Sequence, residues 1–284
     1  MESREERTRL VRGMSLLERM DHPVIAKLFE VISTSFYSFL VMQQAENGSI
    51  QDHVNDNGKI AEPRARKYFL QILSAIEYLH EEQHIFHRDL KAVSVLLDRH
   101  PNVRIVDFGL SNSFTEASPR LSTPCGSPAY APPEMLKGEQ YTKAADIWSA
   151  GVLLYAMVVG QMPFCGDHVP SILWIVAFTE CTYPSLLSPM LSDLLRRLLV
   201  KDPKHRLTIE QIKRHPWLTQ GRYSQLFNGM GRGVDENIVR QVQALTLNAC
   251  LLLSRTVIIA TRMPCTGCCS AILLHTRFIR SWKP

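Results

Sequence analysis

The sequence has no secretory leader, no even framework of cysteines and no apolar run long and uninterrupted enough to cross a bilayer. The first two absences fit reduced thiols in the cytoplasm, with Cys125, Cys165 and Cys181 scattered through the body. The most apolar stretch, from Ala249 onward, is broken by Arg255 and Arg262, which argues against a transmembrane helix. An excess of charge is also missing where it would matter. The formal +5 comes entirely from Arg255, Arg262, Arg277, Arg280 and Lys283, and no acidic residue follows position 248. The balanced body gives no electrostatic reason to expect nucleic acid. Cys250, Cys265, Cys268 and Cys269 lack the paired spacing of a zinc site, so that tail reads as an aggregation-prone or partner-seeking segment.

What is present is an ordinary globular composition, 45% hydrophobic and 21% charged, long enough for one large core or two small ones. Arg7 to Met20 has helical spacing and stops at Asp21-His22-Pro23. Ile25 to Ile32 and Phe36 to Met42 read as strands, and Gln43 to Ser49 as a polar connection. Ala61 to His80 reads as a long amphipathic helix, Val95 to Leu97 and Val103 to Val106 as short strands, and the remainder from Thr142 as helices between Pro-rich turns.

Four motifs carry chemistry. They are His87-Arg-Asp-Leu-Lys-Ala-Val-Ser94, Asp107-Phe-Gly109, Cys125-Gly-Ser-Pro-Ala-Tyr-Ala-Pro-Pro-Glu134 and Asp146-Ile-Trp-Ser-Ala-Gly151. Over about residues 7 to 220 the chain resembles serine/threonine protein kinases, most of all the AMP-activated, microtubule-affinity-regulating and sperm-motility group. The resemblance implies an α+β, protein-kinase-like fold. Its mainly helical C-lobe is complete, and its N-lobe is truncated to the family's helix αC and strands β4 and β5. The implied organisation is a partial N-lobe over residues 1–42, a hinge and C-lobe over 43–220, a linker with a ubiquitin-associated-like helix over 221–248, and an unassigned tail over 249–284.

By the same resemblance, Asp89 and Lys91 are the catalytic pair, the first orienting the accepting hydroxyl and the second neutralising the transferred phosphoryl. Met42, Gln44 and Leu96 frame the adenine of ATP, and Asp107 holds magnesium. Ser94 stands where the pattern H-R-D-L-x-x-x-N has its second metal ligand. Thr123 is the expected site of an activating phosphate from an upstream kinase, with Arg88 as its partner. Glu134 with Arg206, and Asp146, are expected to hold the fold. Leu17, Leu28, His87 and Phe108 match an apolar spine, and Ser127 matches a hydroxyl that bonds the catalytic pair.

Departures from the pattern are as informative. Neither a Gly-rich phosphate loop nor a strand Lys precedes the first helix, so no more than two of the usual five N-lobe strands are expected, with an apolar patch left bare. Gly13 takes the place of the helix Glu that would pair with that Lys. Ser49 and Val93 replace the two Glu residues that hold a basic substrate side chain. These features point to a weak or inactive homologue that binds a protein partner. The alternative is an active kinase whose loop and Lys lie outside this chain.

Overall fold

A computed structural model describes residues 4–33, 37–100, 102–115, 120–121, 125–220, 256–262 and 272–273. Helix α1 (Arg4–Leu17) leads into an antiparallel pair, β1 (Leu28–Ser33) and β2 (Tyr37–Gln43), in which Val31 faces Leu40. The helix ends at Leu17, ahead of the Asp21-His22-Pro23 stop, and Glu18 and Arg19 form a turn. Next come α2 (Ile50–Asn57), capped by Ser49, and α3 (Glu62–Glu77), which runs into a wide π turn over Tyr78–Glu82. The π turn extends this helix beyond the His80 limit read from periodicity.

The following segment is built of short pieces: β3 (Ile85–Phe86), a 3-10 turn (Ala92–Ser94), β4 (Val95–Leu97), β5 (Val103–Ile105) and β6 (Asn112–Ser113). β4 pairs with β5 and β3 with β6, both antiparallel, so one hairpin lies nested within the other pair over about thirty residues. Helices α4 (Pro133–Leu136), α5 (Ala144–Val159), α6 (Val169–Phe178), α7 (Pro189–Leu198), α8 (Ile209–Lys213) and α9 (Pro216–Thr219) complete a helical lobe. The architecture is the α+β arrangement that the resemblance implies, a helical lobe with a small N-terminal lobe.

α5 is apolar on every side, and every residue from Ala145 to Val158 is buried, as befits the axis of a lobe rather than a surface helix. α7 presents Leu191, Leu194, Leu195 and Leu198 at helical spacing to that axis. Arg206 locks the far end. Its guanidinium forms two bonds with Glu134, at 2.8 and 3.0 Å, and also donates to the carbonyls of Val200, Ala144 and Lys201. With side chains only 0% and 2% exposed, the pair has every charge matched by a bonded partner.

The small lobe stays attached through the turn after α1. Asp21 N–H donates to the Tyr78 hydroxyl (3.1 Å), His22 Nε2 lies 3.1 Å from Ser74 Oγ, and Arg104 donates to the Pro23 carbonyl. Main-chain bonds from Ala26 to Ile105 and from Ile105 to Val24, at 3.0 and 2.7 Å, extend this seam. The outer edge of β2 does not stay open. β7 (Thr256–Arg262) pairs with it along its whole length, from Tyr37 against Arg262 to Gln43 against Thr256, and β8 (Ile272–Leu273) pairs with β7. Two strands of the expected tail thus join the reduced sheet, in the order β1-β2-β7-β8, because an open strand edge offers unpaired N–H and C=O groups to any extended segment. The 221–248 linker and its expected helix lie outside the described residues.

Two outcomes follow. Arg206→Ala is expected to destabilise the chain by about 3 to 5 kcal/mol, since it leaves Glu134 charged and buried. Lys213→Ala, which breaks the exposed pair with Glu77, should stay within about 0.5 kcal/mol; equal urea midpoints for the two variants would refute the assignment. The second outcome concerns pH. Burial lowers the His22 pKa to about 4, against the opposing pull of Asp21. The native imidazole therefore stays neutral while the unfolded chain takes up a proton below about pH 6.5. Stability should fall as pH drops from 6.5 toward 4, and His22→Gln should flatten that slope; an unchanged slope would show that His22 carries none of it.

Candidate active site

The site is assembled on one buried carboxylate. Asp146, in the first turn of α5, accepts the main-chain N–H of His87 and of Arg88 at 2.9 Å each, and its Oδ2 lies 2.8 Å from His80 Nε2. Burial alone would raise its pKa, but the His80 hydrogen bond and the Arg88 N–H outweigh that and hold it below the usual carboxylate range. The His-Arg-Asp segment is thereby pinned to a helix some sixty residues away in sequence, with Arg88 in the left-handed region at φ 68°. His87 is driven toward its neutral form by burial and packs against Phe108 with ring centroids 5.0 Å apart. Leu17 and Leu28 are buried in the same core.

Asp89 follows directly. One carboxylate oxygen accepts the Ser127 N–H at 2.8 Å, and the other pairs with Lys91 Nζ. The link to Ser127 runs through its main chain, where the resemblance implied the hydroxyl. Gly126 makes the approach possible: at φ 90° its missing Cβ would lie 2.6 Å from the Arg88 carbonyl oxygen. Lys91 Nζ also stands 4.0 Å from Asp107 Oδ2, so Asp89, Lys91 and Asp107 form one cluster. Asp107 adopts φ 69°, and its side chain is 51% exposed, the most open of the three.

Ser94 closes the same loop. Its hydroxyl donates to the Lys91 carbonyl (2.9 Å) and accepts the Lys91 N–H (3.2 Å), closing the 3-10 turn, and the residue is 2% exposed. A side chain shorter than Asn thus satisfies the loop. Val93, beside it, is 51% exposed. Ser49 is buried as the cap of α2, with its hydroxyl and N–H both on Asp52 (2.7 and 2.8 Å).

On the hinge side, Met42 is buried at the end of β2 and Gln44 is half-buried just after it. Leu96 forms a bridge with Ser49, and Leu97 N–H bonds the Gly48 carbonyl, so β4 and the connection from β2 are stitched into one wall. Above the Asp-Phe-Gly turn lies α1, at very short range. A Cβ on Gly13 would stand 3.1 Å from both the Phe108 carbonyl carbon and the Gly109 nitrogen, so the helix rests on this main chain where a Glu would need room. Among the described residues, no group of three His, Cys, Asp or Glu is arranged to hold a metal ion.

Arg88 donates from Nε to the Leu110 carbonyl at 2.6 Å and from Nη1 to the Tyr141 hydroxyl at 2.9 Å. Thr123, its expected partner once phosphorylated, lies outside the described residues. The motifs did not announce Tyr141 or His80. Each is a single residue with no local pattern, and its bond into the site spans more than fifty residues.

The profile of the family described as "Protein kinase domain" matches residues 1–218. Serine/threonine-protein kinase SIK2 of Gallus gallus is 43% identical over 211 residues, covering 74% of this chain and 26% of that protein. Serine/threonine-protein kinase SIK1 of Rattus norvegicus is 42% identical over 211 residues, with 74% and 27% covered. Sucrose non-fermenting protein kinase 1 of Fusarium virguliforme is 38% identical over 255 residues, with 87% and 36% covered. The chain therefore spans between 26% and 36% of the length of these relatives.

Replacing Ser94 by Ala removes both bonds to the Lys91 main chain and should destabilise the chain by about 1 kcal/mol. Urea unfolding with an unchanged slope is the measurement. A midpoint equal to that of the parent would mean that the hydroxyl does not hold the loop.

Proposed function

The chain belongs to the protein kinase family, and from that premise we propose that it is a serine/threonine kinase homologue whose own phosphotransfer is weak or absent and which acts by binding another protein. The reading rests on positions inside the chain and not on where the chain starts. Gly13 carries it. The residue that would tie α1 to a phosphate-gripping Lys is absent, and the helix has settled onto the Phe108–Gly109 main chain in the space that residue would need. Ser94 points the same way, since its hydroxyl serves the Lys91 turn. Val93 and Ser49 remove the carboxylates that would hold a basic substrate, so the bound protein is not expected to be selected by Arg or Lys near the accepting residue.

ATP and magnesium are the family's reactants. Asp107 offers a half-open carboxylate for a hard cation, and Met42, Gln44 and Leu96 would flank the base. Ser94 does not supply the second metal ligand, so the donor set falls short of the Asp–Asn pair. The C-lobe over 43–220 is the binding module, and the cytoplasm is its place. No helix among the described residues is long and apolar enough to cross a membrane. An upstream kinase acting on Thr123 belongs to the same proposal.

A second reading is favoured by one observation: Asp89, Lys91 and Asp107 are clustered, with Asp89 fixed by Ser127 and Lys91. On that reading the chain is the catalytic part of an active kinase that receives its phosphate grip from sequence outside it. Transfer of radiolabel from ATP decides between the two. The purified chain is expected to label neither itself nor a generic Ser/Thr protein above the level of its Asp89→Asn variant. Each tenfold loss of rate corresponds to about 1.36 kcal/mol of barrier, so two or three weakened contacts suffice to hide turnover. Reproducible labelling abolished by Asp89→Asn would establish the second reading instead.

A further inference from the structure

Helix α6 breaks a pattern that α7 keeps. In α7 the leucines face the core and Arg196 and Arg197 face water, as an amphipathic surface helix requires. α6 carries no charged residue on any side, yet Val176 is its single buried residue. Ile172, Ile175 and Val176, at helical spacing, pack on the lobe. The opposite face is a stripe of Pro170, Trp174 and Phe178, one residue per turn and all exposed. The two rings are 61% and 66% open and touch, with centroids 5.8 Å apart. A helix that is apolar all round belongs in a core, and an open aromatic stripe on one marks a surface that another molecule covers. One cation stands at its edge. Lys137, exposed just after α4, holds Nζ 5.8 Å from the Phe178 ring centroid, and among the described residues no carboxylate pairs with it. Its neighbour Lys201 is already engaged, donating to the Val176 carbonyl at 2.6 Å.

We propose that the Pro170, Trp174 and Phe178 stripe, with Lys137, docks an acidic amphipathic helix of another protein. That helix lays large apolar side chains along the stripe and brings a carboxylate to Lys137. The proposal gives a surface to the binding role proposed above and rests on that reading. The stripe rises about 12 Å over its length, which a partner of about three turns matches by packing its own i, i+4 ridge against it. At these exposures it offers on the order of 300 Å² of apolar surface. A standard dimer needs about 800 Å² from each partner, so the stripe is too small to hold a second copy of this chain. A two-fold contact would also set α6 against α6, and neither helix has a carboxylate to give the other's Lys137. A helix that lies in a membrane surface carries Lys and Arg along a polar face, and α6 has no such face.

Fluorescence anisotropy of a labelled peptide, titrated with the full chain, tests this. The probe is an alanine-based helix with Leu at i, i+4 and i+8 flanked by Glu, and the control has Lys in place of each Glu. The Glu peptide should bind saturably, and the Lys peptide about tenfold more weakly. Trp174→Ala and Phe178→Ser should each weaken the Glu peptide about tenfold or more, with urea midpoints unchanged because both rings lie on the surface. Lys137→Glu should reverse the preference between the two peptides. Where a ring variant shifts the urea midpoint, the Lys137→Glu reversal carries the test. No saturation by the Glu peptide up to about 1 mM would overturn the proposal. Parental affinity in both ring variants, or a preference that Lys137→Glu leaves as it was, would do the same. So would a sedimenting dimer, or binding to phosphatidylserine vesicles, that Trp174→Ala abolishes. Label transfer from ATP reads the chain's role and the titration reads this surface, so either can fail without the other.

Discussion

The site hangs on the carboxylate of Asp146. An ionised carboxylate with its side chain 1% exposed survives only if donors replace the water it has lost, and this one receives two main-chain N–H groups and a His80 ring nitrogen. The requirement works in both directions. The helix keeps a charge it could not otherwise bury, and the His-Arg-Asp segment keeps an irregular path, including a left-handed Arg88, that it could not otherwise hold. Asp89, one residue further on, inherits its position from that anchor, and Ser127 and Lys91 refine it.

The substitutions that distinguish this chain fall where the fold does not need the family residue. Ser94 shows the principle in one side chain. The loop requires a hydrogen-bonding group at that position and a hydroxyl serves. Gly13 shows the reverse case, in which the absence of a side chain lets the helix lie close against the neighbouring main chain. The buried Glu134–Arg206 pair and the Asp146 anchor admit no such compromise, because losing one partner strands a charge in the core. Architecture and chemistry thus separate along the line between buried charges and half-exposed ones.

The reduced small lobe illustrates a different constraint. Only α1, β1 and β2 represent it among residues 4–43, yet the turn over 21–26 is bolted to the large lobe by hydrogen bonds to Tyr78, Ser74, Ile105 and Arg104. A lobe held at its root does not depend on its own sheet for position. The edge of β2 still demands a partner, and β7 provides one through main-chain bonds that ask little of side-chain identity.

By itself the sequence determined the family, the fold class and the identity of the clustered residues. Motifs such as Asp107-Phe-Gly109 and His87-Arg-Asp89 are local, and their chemistry needs fixed residue types at fixed spacing. It also set Gly13, Ser49, Val93 and Ser94 against the pattern that the motifs resemble, since a difference is visible wherever a pattern is strict. Tertiary structure alone decided which way the Ser94 hydroxyl faces, how closely α1 approaches Gly109, that Ser127 reaches Asp89 through its main chain, and that Tyr141 engages Arg88. None of these has a signature in spacing or periodicity. They arise where the fold brings residues within contact or hydrogen-bonding range, and such a contact is read from distance and direction, which a linear order of residues does not carry.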